Sequence, residues 1–317
     1  SWRLEGSATN LGRQPFGYMW ECPNLATLGG REFLFVCPQG VGKRPTSLQN
    51  IHNSGYVALD GRLIDLMAKD PGLMDADGPY PCIDEAGFVE LDFGFDFYAP
   101  QVFEDERGRT ILVGWASLPD IETQYDNPTR EWTHTLTLPR ELNLNEGGRV
   151  CQWPVAEIDA LRGELVEFTG DVAGLTGTAG SSSYDVFDLT GAVGARFAGT
   201  ADICVTQIES GDAVLRLNDD LELFIIGNLC ELAFTSPAGA YRSVRRLPLS
   251  ALTAGRIRDL RVIVDTSIVE IYVNGGEVTM TTRWYPESVD ELRVSSSLRG
   301  RHQGWEMGSC HFAGIDS

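Results

Sequence analysis

The sequence predicts an all-β protein: short strands in blades or a meander, followed by an antiparallel β-sandwich. Three observations carry this. Strand-sized apolar runs recur throughout, separated by Gly, Pro, Asn and Asp. Helical periodicity is nearly absent before residue 153. From residue 260 on, two runs alternate ahead of an Asn-Gly-Gly turn.

Among the first runs are "REFLFVCPQG" (31–40) and "SGYVALDGRLIDL" (54–66). Residues 97–116, "FYAPQVFEDERGRTILVGWA", read as a hairpin with a charged turn at "EDERGR". "WTHTLTLPRELNL" (132–144) adds a further strand. Successive pairs of this kind suggest blades or a meander. At "WPVAEIDALRGE" (153–164) the pattern changes: Val155, Ile158 and Leu161 or Arg162 fall at helical spacing, and Pro154 suits a first helical turn. The Gly-, Ser- and Thr-rich stretch 169–183 reads as a boundary. The division expected is 1–155 and 156–317, the second part opening with a short linker helix. In the last segment Leu260, Val262 and Val264 alternate, as do Val269, Ile271 and Val273 against Glu270 and Tyr272. Asn274-Gly275-Gly276 closes that hairpin because Asn-Gly accepts positive φ cheaply. Such strands imply a sandwich.

Composition narrows the function. The 317 residues are 43% hydrophobic and 22% charged, ordinary globular values. A net charge of −20 repels nucleic acid and anionic lipid, so neither is expected as a partner. No apolar run is long enough to span a membrane. Seven widely spaced Cys with no CxxC encode neither a zinc ribbon nor a redox motif, and they fit a reducing, cytoplasmic setting. The first ten residues do not resemble a signal peptide, and residue 1 is not Met. The four His have no metal-ligand spacing and no phosphate-cradling motif occurs, so neither metal nor cofactor is expected.

One acid stands out. In "YMWECPNL" (18–25), Glu21 is the only charge among apolar neighbours. Burial beside Trp20 would raise its pKa and suit it to general acid catalysis, as in glycoside hydrolysis. A strand-end Glu paired with Arg13 or Arg31 would look the same. "LDFGFDFYAPQVF" (91–103) sets Asp92 and Asp96 among aromatic rings, which suits sugar binding; Phe93, Phe95 and Phe97 also alternate like core residues of a strand. Trp115 reads as a stacking wall or as core.

"MWECP" resembles the WEC-P motif of glycoside hydrolase family 32, the invertases, sucrose-6-phosphate hydrolases and fructanases. "DFGFDFYAPQVF…GRTILVGWA", "WTHTLTLPRELNL…GRVCQWPVAEIDALR" and "VDTSIVEIYVNGGEVTMTTRWYP" are similar to later segments of that family, in its order. The resemblance implies a five-bladed β-propeller followed by a β-sandwich, and retaining hydrolysis of sucrose or fructans through a fructosyl-enzyme. It makes Glu21 the general acid/base, with Cys22 beside it. It also places Asp96, Tyr98 and Trp115 along the sugar pocket. Asn24 stands where the family has Asp, implying a changed hydrogen bond. The family's N-D-P-N-G nucleophile motif and R-D-P motif do not occur in these residues. The expected partners are therefore a fructose-containing saccharide and an N-terminal propeller fragment, or the remainder of the polypeptide. A homo-oligomer through the sandwich is a further option. Two other readings stay open at this point: a non-catalytic sugar-binding or assembly protein, and a five-bladed arabinan hydrolase, against which the "WECP" and "DFYA" pairing argues.

Overall fold

In β2 (Arg31–Gln39), Phe33, Phe35 and Cys37 face one way, Leu34 and Val36 the other, and all five are buried. A strand buried on both faces reads as one continuous apolar run, which is why 31–40 carries no alternation. The structure, a computed structural model, describes residues 16–68, 87–120, 132–170, 191–240, 242–286 and 290–309.

Four antiparallel sheets form. The first joins β1 (Met19–Leu28), β2, β3 (Gly55–Ala58) and β4 (Phe88–Glu90) in chain order. The second joins β5 (Tyr98–Glu104), β6 (Thr110–Trp115), β7 (Arg140–Leu144) and β8 (Val150–Pro154), again in order. Leu28, Phe33, Phe35 and Tyr56 of the first sheet meet Leu112, Leu142 and Val150 of the second in one core. The hairpin expected at 97–116 is the β5–β6 pair.

The next strands are β9 (Arg162–Val166), β10 (Val193–Phe197), β11 (Ala201–Thr206), β12 (Ala213–Leu217), β13 (Leu221–Ile226), β14 (Leu229–Phe234) and β15 (Val244–Pro248). They are followed by β16 (Leu260–Asp265), β17 (Ile268–Val273), β18 (Val278–Arg283), β19 (Leu292–Ser296) and β20 (Arg301–Met307). They form two six-stranded sheets, β10-β19-β12-β13-β14-β15 and β18-β17-β16-β11-β20-β9. Phe197, Leu215, Leu223 and Val294 of one sheet share a core with Ile203, Val262, Ile271 and Met280 of the other. This is a sandwich. Asn274, Gly275 and Gly276, at φ 50, 67 and 83, turn β17 into β18 as the sequence predicts. A Cβ on Gly276 would lie 1.8 Å from the Gln152 carbonyl oxygen, so the turn is docked on β8.

Some local expectations change. The run 54–66 is not one strand. It pairs only through Ala58, and Leu63–Ala68 forms a short helix, α1, whose first N–H donates to Glu32 Oε2 at 2.6 Å. Pro154 ends β8 instead of opening a helix; a 3-10 helix follows over Ala156–Leu161. Beyond Gly170, the Gly- and Ser-rich stretch lies outside the described residues.

The alternation of Phe93, Phe95 and Phe97 is not a core strand of the first half. Phe93 and Phe95 enter the sandwich core, while Phe97 enters the core between the first two sheets. Phe93 and Asp96 donate their N–H groups to the Thr279 and Thr281 carbonyls at 2.8 and 3.0 Å, so this segment lies along β18. β18 is an edge strand of its sheet, and the segment covers that edge. Glu270 and Tyr272, on the other face of β17, are buried too. Glu270 Oε2 accepts from Arg140 at 2.6 Å and from the Tyr272 hydroxyl at 2.6 Å, and Glu270 Oε1 accepts the Leu138 N–H at 2.6 Å. Arg140 is fully buried and also reaches Asp92, at 3.5 Å, and Gln152, at 2.9 Å. Asp92 in turn accepts from the Thr281 hydroxyl at 2.6 Å and from the Thr281 N–H at 2.8 Å. Charged groups this deep persist only when paired and hydrogen-bonded, and here each is.

Candidate active site

Glu21 lies on β1, paired with Cys37 of β2. Successive side chains of a strand point to opposite faces, which separates Trp20 from Glu21. Trp20 packs against the buried cluster of Leu34, Val36, Val57 and Leu59, and its indole N–H donates to the Phe16 carbonyl at 2.8 Å. The Trp therefore does not enclose the acid. Glu21 is half-buried, and polar groups surround its carboxylate. Arg31 pairs with Asp60 and not with Glu21; Arg13 lies outside the described residues.

Oε2 of Glu21 accepts two hydrogen bonds. The Tyr98 hydroxyl donates at 3.0 Å and the Gln39 amide at 2.9 Å. Gln39 is itself oriented by the Tyr18 hydroxyl, which donates to its Oε1 at 3.1 Å. Oε1 of Glu21 has no hydrogen-bond partner among the described residues. Oε2 is thus fixed by two donors.

A bulge follows both Glu21 and Tyr98. The β1–β2 register slips after Glu21, with Cys22 at φ 47, and the β5–β6 register slips after Tyr98, with Ala99 at φ 49. Left-handed backbone is costly for residues with a Cβ, and bulges re-aim side chains. Cys22, Ala99 and Trp115 pack on a small cluster of Cys37, Tyr98 and Leu118. Burial, and then the Glu21 charge, pushes the Cys22 thiol up; burial drives the Cys37 thiol up to about 12. Burial also raises the Tyr98 phenol, with the Glu21 bond adding to this, so Tyr98 remains a donor.

Asn24 bridges the first two sheets. Its amide donates to the carbonyls of Cys22 and Pro100 at 2.8 and 3.0 Å, and its oxygen accepts the Val102 N–H at 3.1 Å. An Asp at this position accepts but does not donate, so the changed hydrogen bond expected there has a definite form.

Trp115 pairs with Tyr98 across β5–β6, half-buried. Its indole N–H donates to His134 Nδ1 at 3.1 Å, and the two rings stack at 5.2 Å. Burial, then the Arg283 charge, lowers the His134 pKa and keeps this ring an acceptor.

The structure sets Asp96 apart from this group, among partners in the sandwich. It is fully buried. Oδ1 accepts from Arg283 at 3.0 Å, and Oδ2 accepts from Arg242 at 2.6 Å and from the Arg283 backbone N–H at 2.9 Å. Burial pushes this carboxyl up, and the two guanidiniums outweigh it, leaving it below its ordinary value. Its oxygens are committed to the sandwich.

Gln39 and His134 were not singled out by the sequence. "CPQG" and "WTHTL" hold nothing that marks them locally, because both gain their roles from partners across strands. Among the described residues no group of three or more His, Cys, Asp or Glu could hold a metal ion. No described helix is long and apolar enough to cross a membrane.

Comparison with known proteins gives consistent matches. The model described as "Glycosyl hydrolases family 32 N-terminal domain" matches residues 1–154, and "Glycosyl hydrolases family 32 C terminal" matches 232–304. The chain is 32% identical to the sucrose-6-phosphate hydrolase of Staphylococcus xylosus, covering 90% of this chain and 53% of that protein. It is also 32% identical to the enzyme of that name from Bacillus subtilis, covering 95% and 57%. The chain thus spans about half the length of the curated relatives it matches. Among solved structures, the sucrose-6-phosphate hydrolase of Lactobacillus gasseri superposes with a TM-score of 0.67 at 23% identity, over 95% of this chain and 57% of that one. A family 32 β-fructofuranosidase of Bombyx mori gives 0.66 at 22%, over 92% and 55%. At these identities the superpositions speak for the fold.

Proposed function

The chain belongs to glycoside hydrolase family 32, and from that premise we propose that it supplies the acid/base half of a retaining β-fructofuranosidase centre. The observation that carries this is the Glu21 carboxyl group, with Oε2 held by Tyr98 and Gln39 and Oε1 free of partners among the described residues. Protonated on Oε1, Glu21 donates to the leaving oxygen of the fructoside. Once ionised, it removes a proton from the water that releases fructose.

Retention needs a second carboxyl group about 5–5.5 Å away to attack the anomeric carbon. Among the described residues, no second carboxylate hydrogen-bonds to Tyr98 or Gln39. We assign the nucleophile to the part of the relatives' length that this chain does not span. In the same reading the two four-stranded sheets are the last blades of a five-bladed propeller, and the domains divide at 155/156. Trp115 and Tyr98 line the fructose subsite, with Cys22 beside the acid. The substrate is a β-fructofuranoside of the class of sucrose, sucrose phosphate or fructan. Unpaired thiols at Cys22, Cys37, Cys151, Cys204 and Cys230 support a reducing compartment.

The test is fructose release from sucrose and sucrose phosphate. The 317-residue chain alone is expected to be inactive, and the same chain joined to a propeller-completing N-terminal part is expected to be active. Efficient cleavage by the chain alone would overturn the division of roles.

A further inference from the structure

We propose that Arg283 is a positioning residue through which the sandwich sets both walls beside Glu21. The proposal rests on the reading of Glu21 as the acid/base. Arg283 ends β18 and is 1% exposed. Its Nε and Nη2 donate to Asp96 Oδ1 at 3.2 and 3.0 Å, and its backbone N–H donates to Asp96 Oδ2 at 2.9 Å. Its remaining arm, Nη1, donates to the Thr133 carbonyl at 3.2 Å. One guanidinium thus holds two separate stretches of chain.

Each stretch leads directly to the site. Two residues beyond Asp96 is Tyr98, which donates to Glu21. One residue beyond Thr133 is His134, which stacks on Trp115 and accepts its indole N–H. The second stretch has further ties to the sandwich: the Tyr285 hydroxyl donates to the same Thr133 carbonyl, and the Trp132 indole donates to Ser267 at 3.1 Å. Backbone bonds to Thr279 and Thr281 and the Asp92–Thr281 pair already hold the 92–96 segment on β18. Asp96, gripped by this fork, lies three residues before Ala99, whose positive φ marks the bulge after Tyr98, and a planar five-donor group is the side chain that can grip a carboxylate and a carbonyl at once.

The experiment reads the walls directly in the 317-residue chain. Indole and tyrosine ring resonances are compared in the unaltered protein, Arg283→Met and Arg283→Lys. In Arg283→Met, the Trp115 indole and Tyr98 ring signals are expected to shift, while the Trp305 indole, which packs under Arg162 at 4.1 Å, stays in place. Arg283→Lys keeps a charge beside Asp96 and guards against failure to fold. A single ammonium does not fork, so the Trp115 signal is expected to shift and the Tyr98 signal to hold. A folded variant of either kind with Trp115 unmoved overturns the proposal, because a purely stabilising residue lowers the melting temperature without moving those rings. In the completed enzyme, Arg283→Met is expected to lower kcat on the order of 10²-fold, more than it raises KM, as misplacement of a catalytic group does. If the completed unaltered enzyme releases no fructose, the hydrolase reading fails, and the ring signals still decide the role of Arg283.

Discussion

The Tyr98 hydroxyl donates to Glu21 Oε2 at 3.0 Å, joining two strands whose residues are 77 positions apart. Both residues stand immediately before a bulge. The contact thus depends on two locally strained turns of backbone, each held by the packing around it.

Tyr98→Phe tests that contact. The ring is buried, so the fold is expected to survive. Losing one donor to a carboxylate is expected to lower kcat of the completed enzyme about tenfold, the equivalent of a single hydrogen bond to a charged group. Steady-state kinetics on sucrose checks this, and an unchanged kcat would remove Tyr98 from the proton-transfer step.

Glu21→Gln is expected to keep the fold, because Gln matches the acid in shape. It is expected to lose on the order of 10²–10⁴ in rate, because an amide does not give and retrieve a proton. A substrate whose leaving group departs without protonation is expected to recover the first step. Fructosyl-enzyme should then accumulate and be visible as added mass. Full activity in this variant would make Glu21 structural.

Asn24→Asp is expected to destabilise the chain by about 1–3 kcal/mol at neutral pH. A carboxylate has no hydrogen to donate to the Cys22 and Pro100 carbonyls and would be set against both. Urea denaturation reads the change, and the loss is expected to shrink in acid, where a protonated Asp regains one donor.

Glu90 makes stability depend on pH. Burial pushes its carboxyl up to about 7, against the Leu48 N–H that it accepts at 2.9 Å. A carboxyl raised in the folded state imposes no cost while it is protonated in both states. The cost begins above the ordinary value of 4.5 and is complete above about 7, so stability falls as pH rises through that window. The size is at most about 3 kcal/mol. Glu90→Gln is expected to flatten the fall, and denaturation midpoints at pH 5 and pH 8 decide it. A slope identical to that of the unaltered chain would assign the pH dependence to other groups.

What the sequence discloses depends on how local each signal is. The alternation through Leu260–Val273 and the Asn274-Gly275-Gly276 turn are local, and both are found as read. α1 escapes notice because six residues are too few to show a period. The resemblance places Tyr98 along a sugar pocket, but its hydrogen bond to Glu21 is seen only in the structure, since spacing carries no trace of it. The partners of Asp96 escape a sequence reading for a physical reason. An acid among Phe rings looks the same whether a sugar or an Arg answers it, and its Arg283 partner lies 187 residues away. Glu270 and Tyr272 read as the polar side of a strand, yet Arg140 from the other half of the chain covers that side.

The seam between the first two sheets and the sandwich also has a consequence for descent. Its halves are written far apart: Asp92, Asp96 and Arg140 early, and Arg242, Glu270, Thr281 and Arg283 late. A genetic crossover between two relatives, falling between Arg140 and Arg242, keeps each half intact while exchanging the partners. Unless both parents carry the same pairs, the hybrid inherits a buried charge with nothing opposite it, at roughly 3–5 kcal/mol for each broken pair. The two halves are therefore bound to be inherited together, and a sandwich from another lineage fits this chain only if it brings its own matching Asp and Arg partners with it.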